Sequence, residues 1–160
     1  MIPPTEVRSS RAAIRRKLFL AIALLSLLGM IDSAIALQRH YAKSATTYCD
    51  IGEQFNCDVV NRSEYSSIMG LPVAAIGIAG YGALLVLATR FRRRTETPAR
   101  LLFAAGAGLA LALYLTYIEA YVLTTWCILC LISLGVISMI TLFAAWIRFG
   151  RVGGDPASGP

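Results

Sequence analysis

Residues 101–130 read LLFAAGAGLALALYLTYIEAYVLTTWCILC, and this stretch decides the fold. From Leu101 to Leu123 the only charged side chain is Glu119. A helix of that length, rising ~1.5 Å per residue, covers the ~30 Å hydrocarbon core of a bilayer. After a short polar break at Thr124, Thr125 and Trp126, a second apolar run opens on Cys127-Ile128-Leu129-Cys130 and continues to Ile147. Two membrane-length runs almost back to back imply an antiparallel pair of helices with a tight turn between them.

Working outward, a run from Leu71 to Ala88 is closed by Arg90, Arg92, Arg93 and Arg94. Another, Leu18 to Leu37, follows Arg11, Arg15, Arg16 and Lys17. This first run has the charged start and apolar middle of a signal peptide. It is about 20 residues long, lacks a small-residue cleavage site and is followed by further spans, so it is expected to be retained. Composition agrees: hydrophobic residues make up 57% of the chain and charged residues 15%, against about a quarter charged in soluble proteins. The expected fold is all-α, an integral membrane four-helix bundle with spans at about 18–37, 71–88, 101–123 and 127–147. The outer loop is 38–70, within a domain of 18–147. Residues 1–17 form a basic tail, and 148–160, Gly- and Pro-rich at the end, a disordered one.

Four spans put both termini on one side, and the basic residues say which. Arg8, Arg11, Arg15, Arg16 and Lys17, then Arg90, Arg92, Arg93, Arg94 and Arg100, then Arg148 and Arg151 share one side; Arg39, Lys43 and Arg62 occupy the other. Basic loops stay in the cytoplasm, so both termini are expected there, with loop 38–70 outside. The net charge of +6 is thereby a topology signal. With no basic and aromatic surface motif, a nucleic-acid partner is not expected.

The cysteines follow this topology. Cys49 and Cys57, with seven residues between them, lie in the outer loop, and Cys127 and Cys130 at the outer end of the fourth span. All four thus face the oxidising side of a bacterial membrane. Two structural disulfides are one reading, and a non-catalytic scaffold or small transporter the function that goes with it. A Cys-x-x-Cys pair at a helix start instead has its thiols near the positive end of the dipole, which favours thiolate chemistry. A metal site is not expected: the first pair has the wrong spacing, His40 is the only histidine, and no histidine follows Cys130.

Two dithiol pairs on one face point to a relay, in which an outer pair takes electrons from a soluble dithiol and exchanges with an inner pair by thiolate attack on a disulfide. No flavin or nicotinamide fingerprint is present, so the expected acceptor is a lipid-soluble quinone. Tyr114, Tyr117 and Tyr121, with Glu119 among them, are candidates to line its ring; a belt of interfacial aromatics is the plainer reading of the tyrosines. Glu119 stands out because an ionisable group inside a span is costly and faces the bundle or water. Asp32, late in the first span, is expected to be solvated at the interface.

These residues resemble the vitamin K epoxide reductase family, in its bacterial branch. The resemblance covers about residues 17–147 and rests on Cys49 and Cys57, Ser63 six residues later, Tyr65-Ser66-Ser67 with Gly70 and Pro72 leading into the second span, and Cys127-Ile128-Leu129-Cys130 opening the fourth. It implies a bundle around a quinone (menaquinone, ubiquinone or a vitamin K-like ring), capped by the outer loop with a short interfacial helix over Asp58–Ile68. By position, Cys49 would meet the partner, Cys57 would shuttle to Cys127, Cys130 would reduce the quinone, and Ser63 would hold the cap or orient groups around the ring. The chain departs from vertebrate members at Leu134, where they carry a quinone-contacting tyrosine. Without the fused thioredoxin-like domain of many bacterial members, its partner would be a separate exported thioredoxin-like (DsbA-like) protein, and its purpose disulfide formation in the bacterial plasma membrane. Unrelated four-helix quinone reductases of disulfide formation place the two cysteine pairs in the reverse order.

Overall fold

The computed structural model describes residues 4–42 and 55–150. Helix α1 spans Pro4–Tyr41, much longer than the apolar run 18–37. No glycine or proline interrupts the chain from Thr5 to Leu28, and the Arg- and Ala-rich stretch before the run favours helix. The basic segment expected as a tail is therefore the first turns of the same helix, and its other end adds a turn of the expected loop. Residues 43–54, which include Cys49, and 151–160, which include the end of the expected disordered tail, lie outside the described residues.

In the expected outer loop the description resumes at Phe55. Helix α2, Cys57–Asn61, is capped by Asn56, whose side chain accepts the Val59 N–H. A 3-10 turn, Glu64–Ser66, follows, then a two-stranded hairpin of β1, Ser67–Ile68, and β2, Leu71–Pro72. Its two-residue turn has φ of 52° at Met69 and 82° at Gly70, the left-handed pair that matches strand twist. The helix implied over Asp58–Ile68 is thus corrected to a single short helix, a turn and a hairpin. Ser63 ends α2 by returning its hydroxyl to the Val60 carbonyl at 2.8 Å.

Helix α3, Val73–Thr89, starts after Pro72, and α4, Thr97–Ile118, has Pro98 in its first turn. The turn between them is closed by Thr97 Oγ1, which donates to the Phe91 carbonyl at 2.5 Å. A π-helical turn, Glu119–Leu123, widens the end of α4. Thr124, at φ 48°, then reverses the chain, and α5, Ile128–Phe149, completes the bundle. Helix α1 packs on α3 and α5, and α4 on α5. The described helices α1, α4 with its π turn, and α5 are long and apolar enough to cross a membrane, and α3 is a 17-residue apolar helix. Leu20, Leu24, Phe103, Leu142 and Trp146 are exposed on the outside of the bundle, as a lipid-facing surface requires.

The bundle is packed solid at one end only. Phe19, Ile22, Leu84, Leu101, Ile140 and Ile147 belong to a core where the N-terminus of α4 meets the C-terminus of α5. Toward the other end side chains become small: Gly29 admits the Tyr81 ring, where an added Cβ would sit 2.5 Å from Cε1, and Gly77 admits Ser33. Above that level a second cluster, Ala36, Cys57, Val60, Cys127 and Leu129, joins the cap to the bundle. A cavity lies between the two clusters.

Candidate functional site

The Cys-x-x-Cys pair is positioned by the reversal between α4 and α5. Cys127 is the N-cap residue of α5, and its backbone N–H has no partner within that helix. Glu119 supplies one: its Oε2 accepts the Cys127 N–H at 3.1 Å. The π turn makes this reach possible, because it turns the Glu119 side chain inward while its carbonyl accepts the Thr125 N–H at 3.2 Å. Glu119 is 1% exposed. Its Oε1 is buried without a well-formed hydrogen bond among the described residues, with the Cys130 thiol beside the carboxyl. A Glu119 oxygen and the Cys127 and Cys130 sulfurs all lie within 4.8 Å of one another. These are the three described groups that could share a thiophilic cation.

Cys57 is disulfide-bonded, whereas Cys127 and Cys130 are free thiols. Cys57 and Cys127 are both buried and share the upper cluster. Asn61 connects them: its Nδ2 donates to the Cys57 carbonyl at 2.8 Å and approaches Cys127 Sγ at 3.6 Å. A parallel bridge pairs Phe55 with Trp126, and the Asn56 N–H donates to the Trp126 carbonyl at 3.1 Å. The cap is latched to α1 as well, where His40 Nδ1 meets the Asn61 carbonyl at 2.6 Å and Ser66 Oγ at 3.3 Å.

Cys130 opens onto the cavity, whose volume is about 400 Å³. Its walls are mostly Ala, Gly, Leu and Ile from α1, α3, α4 and α5, roofed by Val60, Asn61, Ser63 and Ser66. The polar groups reaching it from the helices include Asp32, His40, Tyr81, Glu119 and Ser133. Tyr81 is held by Ser133, its hydroxyl donating to the carbonyl at 3.0 Å and lying 2.8 Å from the side-chain Oγ.

Of the residues expected from the sequence, Cys57, Cys127, Cys130, Glu119 and Ser63 are brought together at this end of the bundle. Ser63 lines the cavity, but its hydroxyl serves α2 rather than the bundle. Tyr114, Tyr117 and Tyr121 are placed elsewhere: they are exposed on the outer face of α4, Tyr117 and Tyr121 stacked with ring centroids 4.8 Å apart, and they do not line the cavity. A helix turns about 100° per residue, so Glu119 lies opposite the face that Tyr117 and Tyr121 share. Asp32, expected at a solvated interface, is instead buried and lines the cavity. Asn61, His40 and Tyr81 reach the site without having stood out in the sequence as site residues. For Asp32 a signal exists: Ser26, Gly29, Ser33 and Ala36 form a small-residue stripe that marks the bundle-facing side of α1.

No curated protein matches the chain. A sequence model described as the vitamin K epoxide reductase family matches residues 20–146, from early in the first span to the end of the fourth. That match covers most of the chain and contains the buried thiols, the cap and the cavity. The chain belongs to the vitamin K epoxide reductase family, multi-pass membrane enzymes that act as quinone-dependent thiol–disulfide oxidoreductases.

Proposed function

We propose that this chain oxidises an exported thioredoxin-like protein of the DsbA kind and passes the electrons along Cys49, Cys57, Cys127 and Cys130 to a quinone in the cavity. It works in a bacterial plasma membrane, with the segments before the first span and after the fourth on the cytoplasmic side, and supports disulfide formation in secreted proteins. The domain proper is the bundle of residues 18–147 with its outer loop. The observation that carries this reading is the arrangement of the inner pair: Cys130 faces the cavity, and Cys127, behind it, is packed against disulfide-bonded Cys57.

The chemistry balances along that line. The chain has four cysteines and two are free thiols, so Cys49 is the proposed partner of Cys57. A thiolate of the exported dithiol attacks this disulfide, leaving the partner oxidised and Cys49 and Cys57 reduced. Cys57 then attacks a Cys127–Cys130 disulfide at Cys127, and Cys49 resolves the mixed disulfide. The outer disulfide is thereby restored and the inner pair is left reduced, which is the covalent state of Cys57, Cys127 and Cys130 described above. Formation of the Cys127–Cys130 bond finally releases two electrons and two protons into the cavity. A quinone supplies the sink for both.

The cavity fits such a ring: its volume is within the ~300–1,000 Å³ range of small-molecule sites, and its walls are apolar with few polar groups. Glu119 lies beside both thiols and takes up a thiol proton as the disulfide forms. Ser63 and Asn61 hold the roof. Tyr114, Tyr117 and Tyr121, exposed on the outer face, act as an interfacial aromatic belt rather than as a ring pocket.

Anaerobic titration of the purified protein with a dithiol and then with menaquinone or ubiquinone tests this reading. Quinone absorbance is expected to bleach in the wild type and to persist with Cys130→Ala. Undiminished quinone reduction by Cys130→Ala would exclude the mechanism.

A further inference from the structure

Asp32 has no role in the relay, yet it is a carboxyl group 7% exposed in the middle of an apolar bundle. Among the described residues it makes no hydrogen bond or ion pair, and it lines the cavity. The other ionisable side chains there are engaged. His40 is held by the Asn61 carbonyl, Tyr81 by Ser133, and Glu119 by the Cys127 amide. Tyr65 lies in the exposed part of the cap. A carboxyl group kept in such a place without a partner is costly unless something enters the cavity to meet it.

Helix registers give its depth. The Tyr81 ring packs on Gly29 of α1 and its hydroxyl reaches Ser133 of α5, so Gly29 and Ser133 lie near one level. The two helices run in opposite directions. Asp32 is three residues from Gly29 toward the cap, and Cys130 is three residues from Ser133 toward the cap, each about 4.5 Å along its axis. Asp32 on α1 and Cys130 on α5 therefore border the same cavity at the same depth.

We infer that Asp32 is a catalytic acid of quinone reduction, donating a hydrogen bond and then a proton to a ring carbonyl oxygen while Cys130 faces the ring from α5. An apolar cavity with no lysine or arginine among the described residues of its walls accepts the uncharged form of a carboxyl group, and that form is a hydrogen-bond donor. The balance closes within the site. As the Cys127–Cys130 bond forms, the two thiols lose two electrons and two protons. The ring gains both electrons. One oxygen receives the Asp32 proton and the other a thiol proton, and the second thiol proton, taken up first by Glu119, is passed on to restore Asp32. The inference rests on the cavity taking a quinone.

Two variants, Asp32→Asn and Asp32→Leu, test it in the full-length protein. Menaquinone binding is read by quenching of tryptophan fluorescence, and the carbonyl stretch of bound quinone by infrared spectroscopy, both in a Cys130→Ser background that cannot turn over. Asp32→Leu is expected to weaken binding about tenfold, the scale of one lost hydrogen bond, and to return one downshifted carbonyl band toward its position in lipid. Asp32→Asn, with Cys130 intact, is expected to bind within about threefold of wild type, because its amide still donates, and to reduce quinone at least about tenfold more slowly in a single turnover. Exchange between the exported dithiol and the loop disulfide should be unchanged. Unaltered binding and band position in Asp32→Leu would overturn the inference, as would loss of dithiol exchange together with quinone reduction in both variants, which marks a structural role. If the wild type binds no quinone, the proposed function falls too; if it does and Asp32 is indifferent, only the inference falls.

Discussion

At the scale of single residues, Glu119 does two things with one carboxylate. It closes the N-terminus of α5 through the Cys127 amide, and it sits against both sulfurs. Substitution separates these functions. Glu119→Gln keeps an oxygen for the amide, so its unfolding midpoint in detergent should stay near wild type while thiol oxidation slows. Glu119→Leu leaves a buried N–H unpaired and should cost about 1–3 kcal/mol, read as a lower midpoint by thermal unfolding. Equal midpoints for the two would remove the capping role. Glu119 was legible in the sequence because a lone carboxylate in a span must face inward. The same principle, with the turn of about 100° per residue, would have turned Tyr117 and Tyr121 outward. Asp32 was harder to place, since its distance from the interface depends on where α1 ends, and α1 continues to Tyr41.

Among the elements, the four apolar helices were legible because hydrocarbon thickness sets their length. The cap was not. Its conformation depends on short-range hydrogen bonds, Asn56 to Val59, Ser63 to Val60 and Ser66 to Ser63, and on two left-handed residues at the hairpin. None of these leaves a periodic trace. The contact between α1 and α3 shows how closely the elements fit. A side chain at Gly29 would collide with the Tyr81 ring, whereas one at Gly80 would meet nothing within 4 Å. Gly29→Val is therefore expected to lower stability by about 1–3 kcal/mol and to disturb the Tyr81–Ser133 bond. Gly80→Ala should be neutral or slightly stabilising. Thermal unfolding of both variants decides it, and an indifferent Gly29→Val would show that α1 and α3 have slack at this level.

For the whole molecule, the orientation proposed from the basic residues is one that single cysteines can report. In a background without the four native cysteines, Met69→Cys at the exposed hairpin tip and Thr95→Cys in the exposed α3–α4 turn should behave oppositely. A membrane-impermeant maleimide applied to intact cells is expected to label the first, and the second only after the membrane is opened. The reverse pattern would invert the topology. The bundle also divides its labour along its length, with a solid core at the end away from the cap and a hollow beneath the cap. Rigidity below holds the walls of the cavity above.

The Phe55–Trp126 bridge ties two strands of chain that run in the same direction. Cys57 lies two residues beyond the bridge on one strand and Cys127 one residue beyond it on the other. The exchange proposed between loop and bundle would thereby be a first-order event at high effective molarity rather than a search by a tethered loop. Adding or removing one residue at Asn56 would shift that strand by about 3.3 Å, more than the length of a disulfide bond. In the proposed relay, spacing on the two strands is thus as much a part of the catalyst as the sulfur atoms, and a chain with all four cysteines but one residue too many there would be an enzyme out of step with itself.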